Sequence, residues 1–227
     1  MTFDPETVVE ALASVLCGPA ALHEPTFAGN EWDYVKECLD TGWVSSVGKY
    51  VDRFEDMLVD VTGAGHAIAT VNGTAALHAS LILASVEAGD EVIVPALAFV
   101  GTANAAAYLG AVPHFADAEE RTLGLDAAKL EVHLDEAAEV RDSERRNKQT
   151  GRRIAACIPV HTFGHPLDLD SLVEVCEKFN LVLIEDAAES LGSTYKGQHT
   201  GNHGRLGVLS FNGNKTVTTG GGGAIIT

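Results

Sequence analysis

"LVLIEDAAESLGS", residues 181–193, decides the fold. Its first half is a short, continuous apolar run rich in branched residues. A strand exposed on one face would alternate apolar and polar positions; a run without alternation is buried on both faces. Two further runs share the pattern, "EVIVP" (91–95) and "IAACIPV" (154–160). "HAIATV" (66–71), "AVPHFAD" (111–117) and "GVLSFN" (207–212) are weaker strands of the same kind. Helical spacing fills the gaps, at 74–86, 101–109, 126–139 and 168–179. In the last, Leu169, Leu172, Val173, Val175 and Cys176 line one side, with Asp168 or Asp170 as the cap. Alternating strands and helices predict an α/β fold with an open, mainly parallel sheet between two helical layers. Helices are also expected at 5–16, 30–40 and 50–61, ahead of the sheet.

The totals narrow the partners. The chain has 227 residues, 46% hydrophobic, with a formal net charge of −17. Such an acidic surface argues against nucleic acid or an anionic membrane as partner. The start, "MTFDPETVVEALASVLCG", lacks a basic leader, and no apolar run reaches membrane-spanning length. The four cysteines, Cys17, Cys38, Cys157 and Cys176, show no metal spacing and read as reduced thiols of a cytoplasmic protein. The nine histidines form no HExxH pair, so no metal is expected. "EVRDSERRNKQTGRR" (139–153) holds six of the fifteen basic residues, Arg141, Arg145, Arg146, Lys148, Arg152 and Arg153. It reads either as an anion-binding loop or as a solvated connection.

Ligands of open α/β sheets gather at the carboxyl ends of the strands, and four candidate groups fall there. In "VNGTAALHAS" (71–80) a strand turns at Asn72-Gly73 into a helix starting at Thr74. That is an anion cradle of helix-start amides, with Gly73 allowing close approach and Thr74 offering a hydroxyl, or an ordinary turn with a threonine cap. Phe99 follows 91–95 and is either a flat plate over a ring or a core phenylalanine. Glu185 and Asp186 end the 181–186 strand, with Glu189 three residues on; a carboxylate there needs a cation or hydrogen-bond donors. Lys215 follows the 207–212 strand, with Ser210 five residues before it; a desolvated lysine amine attacks carbonyls. An anion cradle, an aromatic plate, a buried carboxylate and a lysine together match the needs of pyridoxal 5′-phosphate. A hydrolase carrying a metal on Asp186, Glu189, His161 and His165 is the distant rival.

"NGTAAL" (72–77), "PVHTFGHPLDLDSL" (159–172), "IEDAAESLGS" (184–193) and "SFNGNKTVTTGGGG" (210–223) resemble the DegT-type sugar-nucleotide aminotransferases in order and spacing. Residues 22–55 resemble the branch acting on UDP-linked 4-keto-6-deoxy amino sugars, of the legionaminic acid and bacillosamine type. The resemblance implies the large domain of an aspartate-aminotransferase-like enzyme: three layers, αβα, with pyridoxal 5′-phosphate as cofactor. It implies Lys215 as the Schiff-base lysine and Asp186 as partner of the pyridine nitrogen. Gly73, Thr74, Ala75 and Ser210 would hold the phosphate, and Phe99 would stack on the ring. Glu189 stands near the ring hydroxyl, where many members have glutamine. The implied partners are a nucleotide sugar, an amino-acid donor such as glutamate, and a second copy in a homodimer. The implied organisation is an N-terminal helical arm over 1–62 and an incomplete cofactor-binding large domain over 63–227, with the small C-terminal domain absent. The apolar ending "GGGGAIIT" reads as a cut through a larger domain. The alternative function is a catalytically inactive fragment acting as a binding or assembly remnant.

Overall fold

The computed structural model describes residues 4–16, 18–21, 23–141 and 144–227. Cys17 lies outside the described residues. Three helices come first: α1 (Pro5–Val15), α2 (Glu31–Thr41) and α3 (Lys49–Thr62). Strand β1 (Ala67–Thr70) leads into α4 (Gly73–Leu83). Then come β2 (Glu91–Pro95), α5 (Val100–Tyr108), β3 (Val112–Ala116) and α6 (Ala127–Ala137). A hairpin of β4 (Ala138–Arg141) and β5 (Glu144–Asn147) precedes β6 (Ile154–Cys157). After a short 3₁₀ turn at Thr162–Gly164 follow α7 (Leu169–Phe179), β7 (Val182–Asp186), the small pair β8 (Thr194–Tyr195) and β9 (Gln198–His199), β10 (Leu206–Ser210) and β11 (Gly223–Ile226).

Seven strands form the sheet, in the order β1-β11-β10-β7-β6-β2-β3. All neighbours are parallel except that β11 runs against both β1 and β10. The expected mainly parallel α/β architecture is the one observed. Its three layers follow from period-2 alternation along each strand. Val92, Val94, Val208 and Ile225 face one way and pack with Leu77 and Leu81 of α4 and Ala105 of α5. Ile93 and Leu183 face the other way, toward Leu130 and Leu134 of α6 and Leu172 and Phe179 of α7. Leu209, Ala224 and Ile226 extend that second face beneath Leu58 of α3.

The structure adjusts two local readings. The basic stretch 139–153 is the mostly exposed, solvated connection of the two alternatives, and β4 and β5 pair within it. Several of its cations are engaged. Arg153 binds Asp90, Arg146 pairs with Glu144, and Arg145 lies over the Phe179 ring while donating to the Lys178 carbonyl. The second correction is the start of α4, which begins at Gly73 and is capped by Asn72 rather than by Thr74. Asn72 Oδ1 accepts the Ala75 N–H at 2.7 Å. The last strand is pressed against this turn. A Cβ on Gly223 would sit 2.5 Å from the Asn72 carbonyl carbon, so only glycine fits.

Candidate functional site

The carboxyl ends of β1, β2, β6, β7 and β10 open on the same edge of the sheet, because these strands are mutually parallel. Gly73, Thr74, Ala75, Phe99, Asp186, Glu189, Ser210 and Lys215 all end or follow strands at that edge.

Asp186 ends β7 and is 5% exposed. Its Oδ2 accepts the Thr102 hydroxyl at 2.7 Å, and its Oδ1 accepts the Ala188 N–H at 3.2 Å. Burial pushes its carboxyl above the ordinary aspartate range, against the opposing pull of those two donors and of the Lys215 charge. Among the described residues Asp186 makes no ion pair. Glu185, one position earlier, points to the opposite face and is also fully buried. It accepts from His161 Nε2 at 3.0 Å and from the amides of Gly201, His203 and Gly204 at 2.8, 2.6 and 2.7 Å. Burial pushes the Glu185 carboxyl up, but His161 and these amides outweigh it and hold it below the ordinary glutamate range.

Lys215 does not project into solvent. Its side chain is 13% exposed, and Nζ donates to Glu189 Oε1 at 2.9 Å. The other Glu189 oxygen, Oε2, accepts the Phe163 N–H at 3.0 Å. Phe163 has a left-handed backbone (φ 55°), uncommon for a bulky residue, and leaves its ring 81% exposed.

The glycine turn gathers the rest. Ala76 N makes the first intrahelical bond of α4, to Asn72 O, so the Gly73 and Thr74 amides stand ahead of the ladder. Ser210, at the end of β10, closes on Gly73: a Cβ there would meet the Ser210 Cβ at 3.1 Å and Oγ at 3.4 Å. A Cβ on Gly101 would lie 2.7 Å from Thr74 Oγ1 and 2.9 Å from the Phe99 ring. The missing side chain at Gly101 is therefore what lets Thr74 and Phe99 come together. Phe99 is 71% exposed, which removes its reading as a core residue.

Thus Gly73, Thr74, Ser210 and Phe99 form one group, and Asp186, Glu189 and Lys215 another, both at one sheet edge. Ala75 belongs to the first by position, but its amide is engaged by the Asn72 cap. Thr102 and Phe163 join the site without having been expected, and Asn72, read as a turn residue, joins it as the helix cap. Thr102 could have been noticed as a hydroxyl in the first turn of an apolar helix. Its bond to a residue 84 positions away carries no local signal. Among the described residues no group of three or more His, Cys, Asp or Glu side chains is arranged to hold a metal ion. No helix among them is long and apolar enough to cross a membrane.

The groups fit pyridoxal 5′-phosphate. A phosphate suits amides and hydroxyls at a helix start. A protonated ring nitrogen suits a buried carboxylate whose donors are neutral, because it removes the cost of an unpaired buried charge. Lys215 would supply an amine for the aldehyde.

The sequence pattern of the DegT/DnrJ/EryC1/StrS aminotransferase family matches residues 25–227. The chain is 45% identical over 203 residues to GDP-perosamine synthase of Caulobacter vibrioides, covering 89% of this chain and 50% of that one. An aminotransferase from Psychrobacter cryohalolentis superimposes with a TM-score of 0.78 at 31% identity, covering 92% of this chain and 49% of that one. DesI, solved in the presence of its TDP-sugar product, gives a TM-score of 0.74 at 32% identity, covering 92% and 51%. The chain spans about half the length of the curated relatives it matches.

Proposed function

We propose, from the premise that this chain belongs to the DegT/DnrJ/EryC1/StrS aminotransferase family, that it carries the cofactor-holding part of a sugar-nucleotide aminotransferase. The cofactor is pyridoxal 5′-phosphate. The reaction moves an amino group from an amino acid, glutamate by resemblance, to a nucleotide-linked 4-keto-6-deoxy sugar in glycan precursor synthesis. One observation carries this reading: an amine, a buried carboxylate without an ion partner among the described residues, and a helix-start cradle with an aromatic plate share one sheet edge.

When bound, the cofactor supplies an aldehyde that condenses with amines and a ring that withdraws electrons from the neighbouring carbon. The residues of this chain do the rest. Gly73, Thr74, Ala75 and Ser210 would hold the phosphate, with Ala75 sharing its amide with the Asn72 cap. Phe99 would cover one face of the ring and keep water from it. Asp186 would bind the ring nitrogen, and the Thr102 hydroxyl and Ala188 amide hold the carboxylate in place for it. Lys215 would hold the aldehyde carbon through Nζ, then take a proton and return it between the two half-reactions. Glu189 would face the ring hydroxyl while staying within reach of that amine.

The test is to incubate the chain with cofactor, glutamate and a 4-keto-6-deoxy sugar carried on UDP or GDP. Amine transfer supports the proposal, and the preferred nucleotide decides between two signals. Resemblance over residues 22–55 favours UDP, whereas the relative at 45% identity is named for a GDP sugar. A second reading, an inactive binding or assembly piece, is favoured by the half-length match. It predicts cofactor capture without turnover. In whichever form turns over, loss of neither visible absorbance nor activity in Lys215→Ala would remove that residue from its role. The homodimer and the division into 1–62 and 63–227 belong to the same proposal, to be checked by light scattering and limited proteolysis.

A further inference from the structure

Among the described residues, the non-glycine positions with a left-handed backbone are Ser85, Leu123, Phe163, Asn180 and Lys196. Three of these are polar and sit where such a conformation is ordinary. Asn180 caps α7, Ser85 follows the end of α4, and Lys196 lies in the tight turn between β8 and β9. Leu123 and Phe163 are different. Both are bulky and apolar, for which this conformation is an outlier, and both are exposed. They are also neighbours at the carboxyl edge of the sheet. Leu123 lies in the loop after β3, and Phe163 in the 3₁₀ turn after β6. The Thr162 hydroxyl joins the two segments by donating to the Leu123 carbonyl at 3.2 Å.

The strained turn is held from several sides. The Phe163 N–H is fixed by Glu189, and the Ser193 hydroxyl donates to the Gly164 carbonyl at 2.7 Å. Gly164 is left-handed too (φ 79°), and a Cβ there would lie 2.7 Å from the Glu189 carbonyl oxygen. In the other segment, a Cβ on Gly124 would overlap the Leu167 side chain. The backbone is thus over-determined, while the two side chains it presents stand in water. Strain of this kind clusters at ligand clamps. We propose that Phe163 and Leu123 form an apolar lip that reads the C6 methyl of the nucleotide-linked sugar and sets a preference for 6-deoxy over 6-hydroxy substrates. This rests on the aminotransfer reading above and names the residues that would select its sugar. Position selects the part of the substrate. The Phe163 amide and the Lys215 amine hold opposite oxygens of one carboxylate, that of Glu189. A carbonyl carbon brought to that amine leaves the sugar ring beside the lip, with the nucleotide farther out, beyond the phosphates. Chemistry selects the group. Neither side chain can hydrogen-bond a hydroxyl. A methyl against the lip leaves water favourably, whereas a hydroxyl there gives up water without gaining a partner.

The test is calorimetric titration of the chain, in excess pyridoxal 5′-phosphate, with UDP- and GDP-linked 6-deoxyhexoses and their 6-hydroxy counterparts. The wild type should bind the 6-deoxy ligand about tenfold more tightly, the low end of what one apolar group is worth in a pocket. Phe163→Ala should lose that preference through weaker binding of the 6-deoxy ligand. Leu123→Ala, a second and independent variant, should lose part of it. Phe163→Leu keeps an apolar side chain and should retain part. A merely structural role would weaken both ligands alike, so the ratio of affinities is the informative quantity. Binding is read without turnover. Loss of the visible cofactor band on adding glutamate tests amine transfer separately, so the two readings can fail independently. An unchanged ratio in Phe163→Ala and Leu123→Ala, or binding of neither ligand by the wild type, would overturn the proposal.

Discussion

The two faces of the sheet treat neighbouring carboxyls at the end of β7 in opposite ways. On one face Glu185 collects four donors, one a histidine, and its charge is held there. On the other, Asp186 has two neutral donors and is pushed toward its protonated form. Both are buried to a similar degree, so burial alone does not separate them. The difference is satisfaction. A buried carboxylate with all its partners holds the fold together, whereas one short of a cation marks a place prepared for a ligand. Glu185 ties the loop of Gly201, His203 and Gly204 beneath β10, the strand that delivers Ser210. Asp186 ties nothing comparable.

The largest expected effect lies on the Asp186 face. Lys215→Ala should reduce turnover by at least ~10²–10⁴, the usual worth of a positioned general acid–base group, and abolish the visible absorbance of bound cofactor. Steady-state kinetics and a spectrum of the purified variant check both. On the opposite face, Glu185→Ala should cost at least about 1–3 kcal/mol, as expected for leaving buried donors without their acceptor. Urea unfolding measures it, and a loss below ~1 kcal/mol would break the contrast drawn above.

Acid sharpens the comparison, because the two carboxyls carry opposite signs of linkage. Glu185 is lowered in the folded chain. Its contribution is complete above the unfolded value of about 4.3 and is lost as pH falls through the folded value. Asp186 is raised, so the folded chain binds its proton more tightly. Stability from this group therefore grows as pH falls from the folded value toward the unfolded one, about 3.9. Glu185→Gln should flatten the acid-side decline. Asp186→Asn should leave stability at neutral pH equal to or above the wild type while cofactor capture fails. Unfolding midpoints at neutral and mildly acidic pH, with a cofactor titration alongside, test the pair.

Smaller effects follow from exposure. Phe99→Ala should shift stability by less than ~0.5 kcal/mol because the ring is mostly in solvent. It should weaken cofactor binding by about 0.5–1.5 kcal/mol, the worth of a stacked aromatic pair. The smallest change is expected in the first helices. α1 and α2 bury no side chain, although Leu12, Trp32, Val35 and Leu39 are apolar. Trp32→Ser should leave unfolding within ~0.5 kcal/mol of the wild type.

Much of this was legible in the chain itself. Uninterrupted apolar runs of four to seven residues, rich in branched side chains and bounded by turn residues, identified the strands buried on both faces. The Asn-Gly turn before a helix pointed to the cradle, and the lysine after an apolar strand to the amine. Period-2 alternation guaranteed that Glu185 and Asp186 face opposite ways. Which way faces a ligand was decided only by packing, because α6 and α7 cover one face and α4 and α5 the other. Strand order was likewise a tertiary matter. β11, last in sequence, slots between β10 and β1, and no local pattern encodes that insertion. The Thr102–Asp186 and Lys215–Glu189 bonds are tertiary contacts too. They join residues far apart along the chain, and chain-distant contacts are set by how whole elements pack rather than by the residues beside them.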